Sequence, residues 1–224
     1  MKNLKHISYP AIAPSLLSAD HSCLADEAKK AEIFGAKYLH IDVMDGVFVP
    51  AHSFGLDVVK ELANVTSLVH DVHLMIANPE DMVLSYVKAG AELVTFHYEA
   101  LPDVARIHRL LAKVHEAGAN VGLSIKPNTP VSVLKPFLTE LDLILLMSVE
   151  PGKGGQSFMP ASLERLDEIR ALCASLSKRP VIEIDGGIND KTAPLALAHG
   201  AEVLVAGSYL YGHPDFGGRL RKLL

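Results

Sequence analysis

The sequence predicts an α/β chain: eight parallel strands alternating with helices, closed into a (β/α)8 barrel of the TIM-barrel kind, in one domain over residues 1–224. Three observations predict it. Short apolar runs of strand length alternate with helical patterns from one end to the other, which implies a parallel sheet. Eight such units fit into 224 residues with no linker and no break in composition, a size suited to a closed barrel. An open doubly wound sheet is the alternative, because periodicity does not report closure. Its dinucleotide-binding mark is missing, since no Gly-x-Gly-x-x-Gly follows the first run.

The first strand is expected over residues 12–17 and a helix over 20–34, with Asp20 or Ser22 as N-cap and Gly35 as stop. The second strand covers 38–44. The loop after it, 45–55, exceeds the usual length of such a connection, which marks it as functional. A short helix over 56–64 leads to a strand over 68–75. Asn78-Pro79 opens the next helix, with proline at its first position, and Gly90 ends it. Strands over 93–97, 120–125, 143–148, 181–185 and 203–206 follow. Between and after them helices are expected over 102–117, 129–138, 162–176, 191–199 and 215–222, and a Gly-rich loop over 150–160.

Composition excludes several functions. Hydrophobic residues make up 49% and charged residues 21%, with a net charge of −5, so no basic field invites nucleic acid or an anionic membrane surface. An anionic ligand must therefore be held by local donors. Cys23 and Cys173 match no zinc or redox spacing and read as idle thiols in a reducing compartment. Residues 1–10 lack the apolar core of a signal peptide, and no run is long enough to span a bilayer. A cytoplasmic protein is expected.

The chemistry gathers where a barrel places it, at the C-terminal ends of the strands. In 38–46 the side chains of His40, Asp42 and Met44 share one face of a strand, opposite Leu39, Ile41 and Val43. Taken alone, His-x-Asp is more often a hydrogen-bonded pair than a ligand pair. Ser15, His73 and Met75, His97, Met147 and Ser148, Asp185, and Gly207-Ser208 end or follow other strands, and that gathering strengthens the metal reading. His40, Asp42, His73 and Asp185 can converge on one divalent ion, and imidazole with carboxylate suits Zn, Fe(II), Mn or Co. His73 reads equally well as a core histidine. His97 reads as a supporting or structural histidine, on the expectation that no acidic neighbour stands two residues from it. Gly152-Lys153-Gly154-Gly155, Gly186-Gly187 and Gly207-Ser208 occupy three consecutive loops that can bring backbone N–H groups to a phosphate. The first is no P-loop, since neither Ser nor Thr follows Lys153. Met44, Met75 and Met147 read as core filler or as an apolar pad over a planar intermediate.

Together these stretches resemble the ribulose-phosphate 3-epimerase family. The resemblance rests on Ala13-Pro14-Ser15-Leu16-Leu17-Ser18-Ala19-Asp20, His40-Ile41-Asp42-Val43-Met44-Asp45-Gly46, Asp71-Val72-His73-Leu74-Met75, Leu146-Met147-Ser148-Val149-Glu150-Pro151-Gly152, Gly154-Gly155-Gln156-Ser157-Phe158, Glu183-Ile184-Asp185-Gly186-Gly187 and Val205-Ala206-Gly207-Ser208. It implies interconversion of D-ribulose 5-phosphate and D-xylulose 5-phosphate, in the pentose phosphate pathway. It implies one divalent metal ion per chain on His40, Asp42, His73 and Asp185, with Asp42 and Asp185 as the acid/base pair. It places Ser15, His73, Gly152 to Gly155, Asp185 to Gly187, Gly207 and Ser208 against the substrate or its phosphate. The chain departs from the family at Ala51 and Lys126, where many members carry Asn, and at Lys153, where many carry an aromatic residue. These positions lie at the mouth and bear on which sugar it prefers. The competing expectations are an epimerase of a phosphorylated hexulose such as D-allulose 6-phosphate, an aldol-type lyase and a non-catalytic phosphosugar-binding barrel. The expected partner is a small phosphorylated ketose, with neither nucleic acid nor membrane, and assembly into a homo-oligomer is expected without a surface that marks it.

Overall fold

Strands form where β-branched and aliphatic residues fill both faces, because a parallel sheet is covered on both sides. In the computed structural model, which describes residues 4–101 and 103–224, eight such strands lie parallel. They are β1 (Ala11–Pro14), β2 (Tyr38–Met44), β3 (Val69–Met75), β4 (Leu93–His97), β5 (Asn120–Ile125), β6 (Leu143–Met147), β7 (Val181–Asp185) and β8 (Val203–Ala206). The order runs β1-β8-β7-β6-β5-β4-β3-β2. β1 and β2 then meet across a parallel bridge between Ser15 and His40, and Lys37 N donates to Ile12 O at 3.3 Å. That seam closes the sheet into the expected barrel.

Alternation along each strand sorts the side chains. Leu39, Ile41 and Val43 pack outward with Ala28 and Ala31 of the first helix. Tyr38, Val69, Leu93 and Leu143 point inward and fill the lower barrel with Ala11 and Val203. The Tyr38 hydroxyl meets the Tyr9 hydroxyl at 2.7 Å, and Tyr9 donates to Leu4 O at 2.9 Å, closing that end.

Helices α1 (Leu24–Ile33), α2 (Leu56–Leu62), α3 (Pro79–Ala89), α4 (Val104–Glu116), α5 (Ser162–Cys173), α6 (Thr192–Ala198) and α7 (Phe216–Arg221) cover the outside. α4 buries Ile107, Leu110, Leu111 and Val114, the i, i+3, i+4, i+7 stripe of a helix on a sheet. Full burial of each such side chain contributes about 1.5–3 kcal/mol. Asp103 caps α4 by accepting from Ala105 N. Gly90 ends α3 at φ +115°, a conformation that glycine adopts without strain. Among the described residues no helix is long and apolar enough to cross a membrane.

Several expected limits shift for physical reasons. β1 stops at Pro14, and Leu16–Ser18 form a 3-10 turn, because an apolar run alone does not separate strand from turn. α1 begins at Leu24 rather than Asp20. The Asp20 carboxylate instead accepts from Ser22 N and Ser22 Oγ, holding a turn ahead of the helix. The segment expected as a helix over 129–138 is a 3-10 run, Val131–Phe137, with Pro136 inside it. Proline disfavours an α-helix there, and Val131, Leu134 and Phe137, three apart, align on one buried side of a three-residue turn. The expected helix start at Pro102 and the leader reading of residues 1–3 lie outside the described residues.

Candidate active site

The register of β2 against β3 builds the centre. It sets His40 beside Asp71, Asp42 beside His73 and Met44 beside Met75, all on inward-facing positions. His40 Nδ1 lies 2.5 Å from Asp71 Oδ2. His40 Nε2 is buried, has no hydrogen-bond partner among the described residues and sits 3.4 Å from Asp42 Oδ1. The same Asp42 oxygen is 3.2 Å from His73 Nδ1, while Asp42 Oδ2 accepts from Ser15 Oγ at 2.7 Å. β7 brings Asp185 in from the far side, and ligand atoms of His40, Asp42, His73 and Asp185 all lie within 4.8 Å of one another. An orphaned imidazole nitrogen in a dry interior is costly unless something takes its lone pair or proton. Two imidazoles and two carboxylates facing one point fit a divalent ion of the Zn, Fe(II), Mn or Co type.

The electrostatics agree with that donor set. Burial pulls His40 down, but the Asp71 and Asp42 carboxylates outweigh it and raise its pKa well above the usual imidazole value. Burial opposes ionisation of Asp42, yet His40 and His73 hold its carboxyl well below the usual range. Asp185 goes the other way, pushed up to about 6 by burial and then by the Asp42 charge. Two carboxylates in one site are thus driven apart, the pattern that lets one hold a proton while the other stays ionised. Below them Glu183 is fully buried, and desolvation with the neighbouring Asp71 raises its carboxyl well above the usual range.

Above this centre opens a small cavity. Its lining includes Ser15, Asp42, Met44, Met75, Met147, Asp185, Gly152, Lys153, Gly154, Gly155, Gly186, Gly187, Gly207 and Ser208. The three glycine loops therefore share one wall. Gly187 has φ +64°, and a Cβ there would lie 2.3 Å from Phe158 N. Gly152, at φ +107°, would put a Cβ 2.8 Å from Val49 Cβ. Larger residues would break these turns. Gln156 staples the first loop, its Nε2 donating to Glu150 O and Lys153 O at 2.7 Å each. His40 and His73 do not reach the cavity surface but lie behind Asp42, fully buried. Lys153 is exposed on the rim, and the Lys126 ammonium stands 4.1 Å from the centre of the Phe48 ring.

Sequence reasoning missed several contributors. Asp71 lies on β3 two residues before His73, and strand alternation, which places it on the same inward face, is the signal that could have found it. Asp45 organises the long loop, accepting from Val47 N, Phe48 N and Ala77 N at 2.8 Å each. The expectation that His97 has no acidic neighbour two residues away is wrong: Glu99 stands there and is its partner. Its Oε2 lies 3.3 Å from His97 Nδ1, and His97 Nε2 lies 2.9 Å from His73 Nε2. Burial pulls His97 down to about 4. Glu99 resists its own partial burial and is held at about 2 by hydrogen bonds from His97, Thr129 and Lys126 N.

A model of the ribulose-phosphate 3 epimerase family matches residues 11–211. The chain belongs to the ribulose-phosphate 3-epimerase family. Among curated relatives, the ribulose-phosphate 3-epimerase of Bacillus subtilis is 43% identical over 205 residues, covering 91% of this chain and 93% of the relative. That of Mycobacterium bovis is 46% identical over 206 residues, covering 92% and 88%. These relatives are named as epimerases, a class of isomerase. Among solved structures, a mutant tryptophan synthase α-subunit from Pyrococcus furiosus superposes with a TM-score of 0.72 at 14% identity, covering 96% of this chain and 98% of that one. That likeness concerns the barrel alone. Within the epimerase family, the cluster of His40, Asp42, His73 and Asp185 is a candidate metal centre.

Proposed function

We propose that this chain, acting as one barrel domain, is a metal-dependent epimerase that interconverts D-ribulose 5-phosphate and D-xylulose 5-phosphate. The observation that carries the reading is the convergence of His40, Asp42, His73 and Asp185 beneath a cavity walled by three glycine loops. A divalent ion on these four residues would supply Lewis-acid stabilisation of negative charge on the ketose oxygens, worth several kcal/mol.

The chain's own residues do the rest. Inversion at C3, next to the ketone, requires a proton to leave one face and another to arrive on the opposite face, through an enediolate. Asp42 and Asp185 come from β2 and β7, two strands that β1 and β8 separate. One takes the proton as a carboxylate and the other returns one as an acid. Ser15 Oγ, hydrogen-bonded to Asp42 Oδ2, fixes the orientation of that carboxyl. Backbone N–H groups of Gly152 to Gly155, Gly186, Gly187, Gly207 and Ser208 hold the phosphate, with Lys153 adding charge at the rim. Met44, Met75 and Met147 present an apolar, polarisable surface to the planar intermediate and keep water from it.

The rival substrate is a phosphorylated hexulose, because the departures at Ala51, Lys126 and Lys153 lie at the mouth and leave the acid/base pair intact. Turnover of D-ribulose 5-phosphate and D-allulose 6-phosphate, compared as kcat/KM on the metal-loaded protein, separates them. The pentulose is expected to win by at least about tenfold, since one surplus group in a shaped pocket costs about 1–3 kcal/mol. A reversed ratio would reassign the substrate.

A further inference from the structure

His73 is held from both sides. Nδ1 faces Asp42 Oδ1 at 3.2 Å, and Nε2 meets His97 Nε2 at 2.9 Å. The chain continues outward from His97 Nδ1 to Glu99 Oε2 at 3.3 Å. Glu99 Oε1 accepts from Lys126 N at 2.8 Å and from the Thr129 hydroxyl. The two histidines are fully buried and meet edge to edge, with ring centroids 5.0 Å apart and ring planes 30° apart. Phe48 covers His97 at 4.8 Å, and Lys126 Nζ covers Phe48.

We propose that His97 and Glu99 are positioning residues that fix the tautomer of His73, so that its Nδ1 lone pair is free to bind the metal ion. The inference rests on the metal reading above and adds two residues to it. An ion on Nδ1 needs a lone pair there, so His73 carries its proton on Nε2. That proton must be accepted, and the atom in reach is His97 Nε2. His97 then carries its own proton on Nδ1, which needs an acceptor in turn. Glu99 is that acceptor, because the backbone N–H of Lys126 is a donor whose sense never reverses. His40 is fixed in the complementary sense: Asp71 accepts at Nδ1 and leaves Nε2 open. One metal histidine would thus use Nε2 and the other Nδ1, each set by a carboxylate. In His40 the carboxylate is in direct contact; in His73 it acts through a second imidazole.

Glu99→Gln tests this with almost no change of shape. The amide oxygen must face the Lys126 N–H, which turns the NH2 group toward His97 Nδ1. His97 then accepts there, carries its proton on Nε2 and drives the His73 proton onto Nδ1, where the ion would sit. Cobalt(II) affinity, measured by competition with a chromophoric chelator, is expected to fall about 10- to 100-fold, the usual effect of losing such a partner. His97→Phe, which keeps a ring but offers no acceptor, should fall similarly. Thr129→Val, which leaves Glu99 accepting from His97, should keep the wild-type affinity. Imidazole 15N signals give a readout that a packing role does not move: the protonated nitrogen of His97 is expected to be Nδ1 in the wild type and Nε2 in Glu99→Gln. Wild-type cobalt affinity in Glu99→Gln, or a wild-type His97 protonated on Nε2, overturns the relay while leaving the metal site standing. A wild-type protein that binds no cobalt overturns the metal reading and the relay with it.

Discussion

Asp185→Asn is expected to lower turnover by at least about two orders of magnitude, the usual contribution of a positioned acid or base, while the barrel stays folded. The side chain is what changes, and asparagine nearly matches its shape. The structural bonds at this position are made by the backbone: Asp185 O accepts from Ser148 N at 2.7 Å and from Ser148 Oγ at 2.8 Å. Asp42→Asn should lose as much, because an amide can neither take the proton nor give a carboxyl one. The two variants should differ in secondary effects. Asp42 is packed among His40, His73 and Ser15, so its amide also disturbs the hydrogen bonds that orient the cluster. Asp185 is partly open to the cavity and should disturb less. Steady-state turnover with circular dichroism on both variants checks this; near-normal turnover in either removes that residue from proton transfer.

Removing the metal is expected to abolish turnover, and re-adding a single divalent ion to restore it. His40, Asp42, His73 and Asp185 crowd together, and without a cation the like-charged pair of Asp42 and Asp185 is left uncompensated. Binding to the folded state alone should stabilise it by about 2.7 kcal/mol at a hundredfold excess over Kd. In a chain of this size that is a rise in Tm of roughly 5–10 °C. The sign of the pH dependence follows from the donors. Asp71 and Asp42 hold a proton on His40 well above the usual imidazole range, and Asp185 is raised to about 6. An ion must displace those protons, so affinity is expected to weaken as pH falls, with proton release on binding. Calorimetry in two buffers of different ionisation enthalpy measures the release. Full activity after exhaustive chelation, or binding without proton release, contradicts the donor assignment.

Much of this was written in strand periodicity. The limits of β2, β4, β5, β7 and β8 follow from apolar runs closed by glycine or polar residues, and the inward placement of His40, Asp42 and Asp185 follows from those limits and from strand alternation. Closure and the partners of buried groups were not legible. The seam depends on Ser15 meeting His40 across β1 and β2, which no local pattern encodes. Glu99 lies past the end of β4, where strand alternation no longer says which way a side chain points. Its role depends on the loop after β5, which brings the Lys126 N–H and Thr129 to it. Glu183 lies on the inner face of β7, two residues before Asp185, and only the packed barrel shows that it shares a dry interior with Asp71.

Proton exchange at C3 tests the central claim most directly. The metal-loaded protein is incubated with D-ribulose 5-phosphate in D2O, and C3 is followed by NMR. Deuterium is expected at C3 together with the appearance of D-xylulose 5-phosphate, and Asp185→Asn should slow both together. Metal-loaded protein that forms neither deuterated substrate nor xylulose 5-phosphate would contradict proton transfer at C3 by Asp42 and Asp185.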